Sequence, residues 1–305
     1  MNSPLKAESL IAKLERTLKE RFPHWGLSKL AVVGHGIEFL VLRSSSRLHG
    51  EVALRIPWTR IIDNDNDEVV DCRDLLKQEY LIAGHLHARG IPVPRPLALD
   101  VGSDDAADFL MSLYIASDKS TPNQELFGEL LAKVHAVAPP TFVPAMARQK
   151  DSNEAVAVRL LRRCRNLEKV VNDKIKLPSL DEIQSVLQGR CFEKRLLHMD
   201  AREANLITQK NEIMAIVDWS NALVGDPLLE ICRILEYGHY STPFVKGYGD
   251  QRVLERLNSL EGLIFRLDTA IVLSLLFYSQ VPDREMFRKH VQRSHDLVAR
   301  IRMQM

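Results

Sequence analysis

Several things are scarce in this sequence, and each shortage narrows what the chain can be. No apolar run approaches the roughly 18 residues that a bilayer-spanning helix needs. The greasiest window, Ile271 to Tyr278, is bracketed by Arg266, Asp268 and Asp283. Net charge is almost absent, with 41 Lys+Arg against 40 Asp+Glu, which leaves no electrostatic case for nucleic acid or an anionic membrane as partner. Cysteine is sparse: Cys72, Cys164, Cys191 and Cys232 are scattered, with no C-x-x-C pair. A thiolate metal cluster is therefore disfavoured, and reduced cytosolic thiols are the simple reading. The N-terminus lacks a basic-then-apolar signal pattern, because Lys6, Glu8, Lys13 and Glu15 interrupt it, so the expected location is cytoplasmic. Repeats and low-complexity tracts are missing. The acidic run Asp63 to Asp67 lacks the glycine and closing glutamate of an EF-hand, having Glu68 and Asp74 at those positions. Calcium binding is rejected there, and a solvated loop is expected.

What remains is a chain of 305 residues, 46% apolar and 27% charged, the make-up of an ordinary globule large enough for two lobes. Residues 4 to 21 carry Leu10, Ile11, Leu14 and Leu18 on one helical face, and Pro23 stops the helix. Strand-like stretches follow at 29–33, 37–42 and 51–56, with Gly34-His-Gly36 between the first two. A helix is expected over about 73–88, then an extended edge with Pro92, Pro94 and Pro96, then a strand over 108–115. From residue 122 onward the periodicity is helical: 122–136, 152–172, 180–189, 227–237, 261–278 and 283–302. A proline-marked loop with Pro139, Pro140 and Pro144 lies between the first two of these. His135 reads as a packed histidine. Arg159, Arg162, Arg163 and Arg165 read as a solvated basic face, the alternative being a grip on an anionic substrate group.

The chemistry concentrates in residues 195 to 228. His198-x-Asp200-x-x-x-x-Asn205 has the spacing of a kinase catalytic loop. Two short strands, 204–208 and 212–217, flank a tight turn at Gln209-Lys-Asn211, and Asp218 ends the second. Phosphoryl transfer needs a carboxylate beside the attacking hydroxyl and oxygen ligands for Mg²⁺ on the phosphates. Asp200 is read as the catalytic carboxylate, with Asn205 and Asp218 as metal ligands. His198 is expected to orient the loop.

This stretch resembles the aminoglycoside phosphotransferase-like family, which includes choline and homoserine kinases, through His198, Asp200, Asn205, Asp218, Trp219 and Gly225-Asp226-Pro227. The resemblance implies an α+β, protein-kinase-like fold in two lobes. The first, 1–114, is a mostly antiparallel sheet with a helix; the second, 115–305, is largely helical. It implies transfer of a phosphoryl group from ATP or GTP, with Mg²⁺, to the hydroxyl of a small molecule.

Further residues follow from the resemblance. Arg55, in Glu51-Val-Ala-Leu-Arg55, holds the place of the phosphate-gripping lysine, and arginine is not interchangeable with lysine; the plain alternative is an edge-strand arginine in solvent. Glu79 would brace Arg55, or else is a surface glutamate. Gly34 and Gly36 would lay amides over phosphates, or simply form a hairpin turn. Backbone near Ser112 to Tyr114 would face the base at a hinge. Asp226 would accept hydrogen bonds from catalytic-loop backbone. Glu230, Glu236 and Asp268 are the acidic residues expected to face an amine-bearing acceptor. Met199 stands where protein kinases have arginine, and no A-P-E segment follows, which disfavours a protein substrate. The resulting expectation is a small-molecule kinase, with an aminoglycoside or other antibiotic as the candidate acceptor, as in a resistance enzyme. A metabolic kinase of the choline or homoserine type, and a nucleotide-binding pseudokinase, are the alternatives. A monomer or homodimer fits either.

Overall fold

The computed structural model describes residues 4–66, 69–142, 151–188 and 194–305. The chain divides into two compact units, each gathered from separate stretches: Met1–Ile62, Val69–Thr121 and Leu206–Ser220 in the first, and Asp63–Glu68, Pro122–Asn205 and Asn221–Met305 in the second.

The first unit opens with α1 (Pro4–Arg21), then β1 (Ala31–His35), β2 (Phe39–Ser46) and β3 (Gly50–Pro57). A short hairpin, β4 (Ile61–Ile62) and β5 (Val70–Asp71), leads into α2 (Cys72–His87). β6 (Pro96–Asp100) and β7 (Phe109–Leu113) complete a five-stranded antiparallel sheet of order β1-β2-β3-β7-β6. The proline-rich segment runs into an edge strand, as a missing N–H requires. Along β3, alternation buries Val52, Leu54 and Ile56 on one face. These pack with Leu14 and Leu18 of α1 and with Leu40, Leu42, Phe109 and Met111. The expected apolar stripe of α1 is therefore the one that covers the sheet.

α2 starts at an Asp71 cap, whose carboxylate accepts the Arg73 N–H. Its buried face carries Leu75, Leu76, Ile82 and Leu86, with Gln78 and Glu79 among them, while Leu81 is exposed. Two polar residues on a buried face have to find partners there. The last elements of this unit are β9 (Leu206–Gln209) and β10 (Glu212–Ile216), antiparallel and joined by Lys210-Asn211. Both turn residues have positive φ, at 52° and 67°, which is the type I′ geometry that matches strand twist.

The second unit contains α3 (Gln124–Ala136), α4 (Ser152–Val171), α5 (Leu180–Gln188), β8 (Arg195–Leu197), β11 (Leu223–Gly225), α6 (Pro227–Tyr237), α7 (Thr242–Tyr248), α8 (Gln251–Leu254), α9 (Leu260–Leu275) and α10 (Arg284–Gln304). β8 and β11 pair antiparallel. α9 is buried along nearly its whole length. α3 and α7 meet backbone to backbone: a Cβ at Gly247 would lie 1.9 Å from the Glu125 carbonyl oxygen. Asn66, expected in a solvated loop, is instead buried in this unit, where its carbonyl accepts the Arg163 Nε–H. Glu68, Pro144 and Cys191 lie outside the described residues. No helix among the described residues is long and apolar enough to cross a membrane.

Candidate active site

In the first unit, Arg55 lies on β3, the middle strand of the sheet, so the edge-strand reading fails. It projects from the face opposite the core, beside Val41 of β2, and its guanidinium sits 4.2 Å from the centre of the Phe39 ring. Two carboxylates share this one cation. Arg55 Nη2 donates to Asp218 Oδ1 at 2.6 Å. Arg55 Nε is 3.3 Å from Glu79 Oε2, but the two are not aligned, and neither atom has a hydrogen-bond partner. The short contact belongs to Asp218, and Glu79 is held by charge alone.

The titration of the trio follows from that geometry. Burial would lower the Arg55 pKa, but the charges of Asp218 and Glu79 outweigh it and raise it above the ordinary arginine value. Glu79 is pushed up to about 7: burial raises it, Arg55 pulls it down, and the charge of Asp218 adds to the rise.

Asp218 follows β10 with φ +69°, a left-handed conformation that aspartate tolerates better than most residues. The Ser220 hydroxyl donates to its Oδ1 at 2.6 Å. Gly34 sits at a bulge in β1 opposite Val41. The Gly36 N–H closes the β1–β2 turn on the Phe39 carbonyl, and a Cβ at Gly36 would come within 3.1 Å of that oxygen. That amide is committed to the turn rather than open to a phosphate. Of the backbone expected to face the base near Ser112 to Tyr114, two amides are already engaged. The Leu113 amide donates to the Arg95 carbonyl and the Tyr114 amide to the Glu51 carbonyl. Both are consumed where the chain leaves the sheet.

In the second unit, β8 delivers the segment His198 to Asn205. His198 is fully buried and its Nδ1 accepts the Asp200 N–H at 3.2 Å. Met199 is held at φ +67°. Asp200 Oδ2 accepts the Asn205 side-chain amide at 2.8 Å, and the same nitrogen reaches the Asp200 carbonyl at 2.8 Å. Asp200 Oδ1 lies 3.0 Å from Arg202 Nε and accepts the Tyr237 hydroxyl at 3.4 Å. Sequence reasoning missed Arg202 and Tyr237; Arg202 was visible inside the motif itself.

The acidic residues of this unit are placed otherwise than expected. Glu230, 1% exposed, accepts the backbone N–H groups of His198 and Met199, at 2.9 and 2.6 Å, and His135 Nε2–H at 2.9 Å. Because a carboxylate only accepts, His135 Nδ1 is left to accept the Tyr248 hydroxyl at 2.9 Å. Burial would raise the Glu230 carboxyl, but His135 and the loop outweigh it and hold it below the ordinary value. The loop-holding role expected of Asp226 thus belongs to Glu230, one turn further along α6. Asp226 instead caps α6 through the Leu228 N–H and pairs with Arg256 through both oxygens.

Glu236 is buried between Arg266 and Arg293, at 2.7 and 2.9 Å. Asp268, 0% exposed, pairs with Arg163 at 2.8 Å and Arg233 at 3.4 Å. None of the three carboxylates expected to greet an amine is open to one. Arg163, expected in a solvated cluster, is 2% exposed for the same reason.

No group of three or more His, Cys, Asp or Glu among the described residues is arranged to hold a metal. A cation here would rest on few protein oxygens, with phosphates and water completing its shell, as Mg²⁺ accepts. Asn205 fits that demand: its amide nitrogen is turned to Asp200, which leaves the amide oxygen as the atom able to meet a cation. Asp218, a part-exposed carboxylate, fits it as well.

The profile of the phosphotransferase enzyme family (APH) matches residues 68–260, well over half of the chain. The protein belongs to this family and is a phosphotransferase by class. Solved structures share its fold. A choline/ethanolamine kinase family protein from Mesorhizobium loti matches 98% of this chain and 99% of its own, with TM-score 0.61 and 20% identity. Aminoglycoside phosphotransferase APH(4)-Ia, as a thermostable mutant in ternary complex with AMP-PNP and hygromycin B, matches 94% and 98%, with TM-score 0.57 and 17% identity. The GDP complex of a mutant aminoglycoside 2'-phosphotransferase-IIIa matches 93% and 96%, with TM-score 0.62 and 13% identity. At such identities the likeness is one of fold, and the fold is the kinase-like α+β arrangement.

Proposed function

We propose that this phosphotransferase moves the γ-phosphoryl group of ATP or GTP to a hydroxyl of a small molecule. The observation that carries the reading is the loop geometry in the second unit. One carboxylate, Asp200, is held through both oxygens by Asn205, Arg202 and Tyr237, and Glu230 accepts the backbone N–H groups of the two residues before it, His198 and Met199. A carboxylate held in this way is suited to orient an acceptor hydroxyl and take its proton. Asp200 is assigned that role. Arg55, restrained by Phe39 and Glu79, is assigned to the nucleotide phosphates. Asn205 and Asp218 are assigned to hold Mg²⁺, which when bound neutralises charge on the transferring phosphates.

One observation bears on the acceptor. Glu230, Glu236 and Asp268 are each taken up by partners inside the second unit. This removes the specific reason for a polyamine acceptor such as an aminoglycoside, and it supports a metabolic hydroxyl acceptor as the second reading. The test is a screen of hydroxylated antibiotics and metabolites for release of nucleoside diphosphate. The reading expects at least one acceptor to raise release well above the solvent rate. Release equal to background across both classes, from protein that binds nucleotide, speaks for a pseudokinase.

A further inference from the structure

The adjacent residues Gln78 and Glu79 both sit on the buried face of α2. Glu79 approaches Arg55. Gln78, 3% exposed, turns its amide the other way: Nε2 donates to the Trp219 carbonyl at 2.7 Å and to the Ser220 carbonyl at 3.0 Å. These are the two residues that follow Asp218. Asp218 sits in a left-handed conformation with no strand on its far side, since the chain enters a short 3-10 turn at Trp219–Asn221. Its carboxylate is steered by the Ser220 hydroxyl, and the position of Ser220 depends on the carbonyl that Gln78 holds. An amide nitrogen is the one uncharged side-chain group able to donate to two neighbouring carbonyls at once.

We propose that Gln78 is the positioning residue for Asp218: it fixes the turn after the metal-ligating carboxylate, so that α2 sets both the phosphate cation, through Glu79, and the metal ligand, through Gln78. This rests on the assignment of Asp218 to Mg²⁺. A glutamine that merely fills a buried site would affect folding and nucleotide binding alike, whereas a positioning glutamine affects the metal-dependent part alone.

The experiment compares the full chain with Gln78→Met, which keeps volume and loses both hydrogen bonds. ADP binding is measured by calorimetry with and without Mg²⁺. Ile82→Val, on the buried face of the same helix, serves as the packing control. The inference expects Gln78→Met to weaken Mg²⁺-dependent ADP binding by about tenfold, the scale of one or two lost hydrogen bonds, while metal-free ADP binding stays within about twofold. Ile82→Val should leave both unchanged. Should Gln78→Met fail to fold, Gln78→Asn, which keeps the amide but cannot reach as far, must give the same split. Equal weakening with and without metal, or none, in the folded variant overturns the inference. The Asp218→Ala variant separates this from the underlying assignment: if it still responds fully to Mg²⁺, the metal role of Asp218 fails, whatever Gln78 does.

Discussion

Glu230 Oε1 accepts the backbone N–H of Met199 at 2.6 Å. Met199 is a non-glycine residue held at φ +67°, one position before Asp200. Strain of this kind, of order 1–3 kcal/mol, persists only where surrounding bonds enforce it. The other Glu230 oxygen accepts the His198 N–H and the His135 ring N–H. The segment that leads into Asp200 is therefore hung on a buried carboxylate.

Glu230→Gln turns one acceptor into a donor facing backbone N–H groups. The expected result is a loss of about 1–3 kcal/mol in stability and a fall in kcat of roughly 10²-fold through misplacement of Asp200. KM for nucleotide should change much less. Chemical denaturation and steady-state kinetics check both. A kcat loss matched by an equal KM rise would place the effect in nucleotide binding instead.

Asp268 neutralises two buried arginines, Arg163 and Arg233, and Arg233 also donates to the Met199 carbonyl. Removing the carboxylate takes a shared counter-charge from two buried cations. Asp268→Ala is expected to cost about 3–5 kcal/mol, read as a lower melting temperature. Were Asp268 an acceptor-binding residue, the variant would keep its stability and lose affinity for acceptor.

Glu79 titrates at about 7 in the folded chain, above the ordinary carboxyl value of 4.5. The native state therefore holds a proton that the unfolded chain has already released between those values. This group's contribution to stability declines as pH rises from about 4.5 to about 7 and is constant above that. Activity runs the other way, because Glu79 adds its charge to that of Asp218 in holding Arg55 only while it is ionised. kcat/KM for nucleotide should fall on the acid side with a midpoint near 7, and Glu79→Gln should flatten that limb at a reduced level. A limb unchanged in Glu79→Gln would assign it to another group.

Much of this was legible in the sequence because it is local. The stripe of α1, the alternation of β3, the Lys210-Asn211 turn and the Asp200–Asn205 spacing all depend on residues within one or two turns of each other. What was missed depends on distance or brevity. β8 and β11 are three residues each, too short for alternation to register, yet β8 leads directly into the segment His198 to Asn205. α7 is seven residues long and is held by contact at Gly128 and Gly247 rather than by an apolar stripe. Asp268 finds Arg163 from 105 positions away, so its carboxylate looked open when read alone. Asp226 and Glu230 lie four residues apart, and no sequence pattern tells which faces the loop and which faces Arg256.

The central claim is that Asp200 performs the proton chemistry of phosphoryl transfer. Its most direct test is nucleoside diphosphate release by Asp200→Asn, with an acceptor found by the screen and nucleotide binding measured in parallel. A base in this position contributes about 10²- to 10⁴-fold, so kcat should drop by at least about 10²-fold while nucleotide affinity stays within about threefold. Turnover equal to that of the unaltered protein would contradict the account.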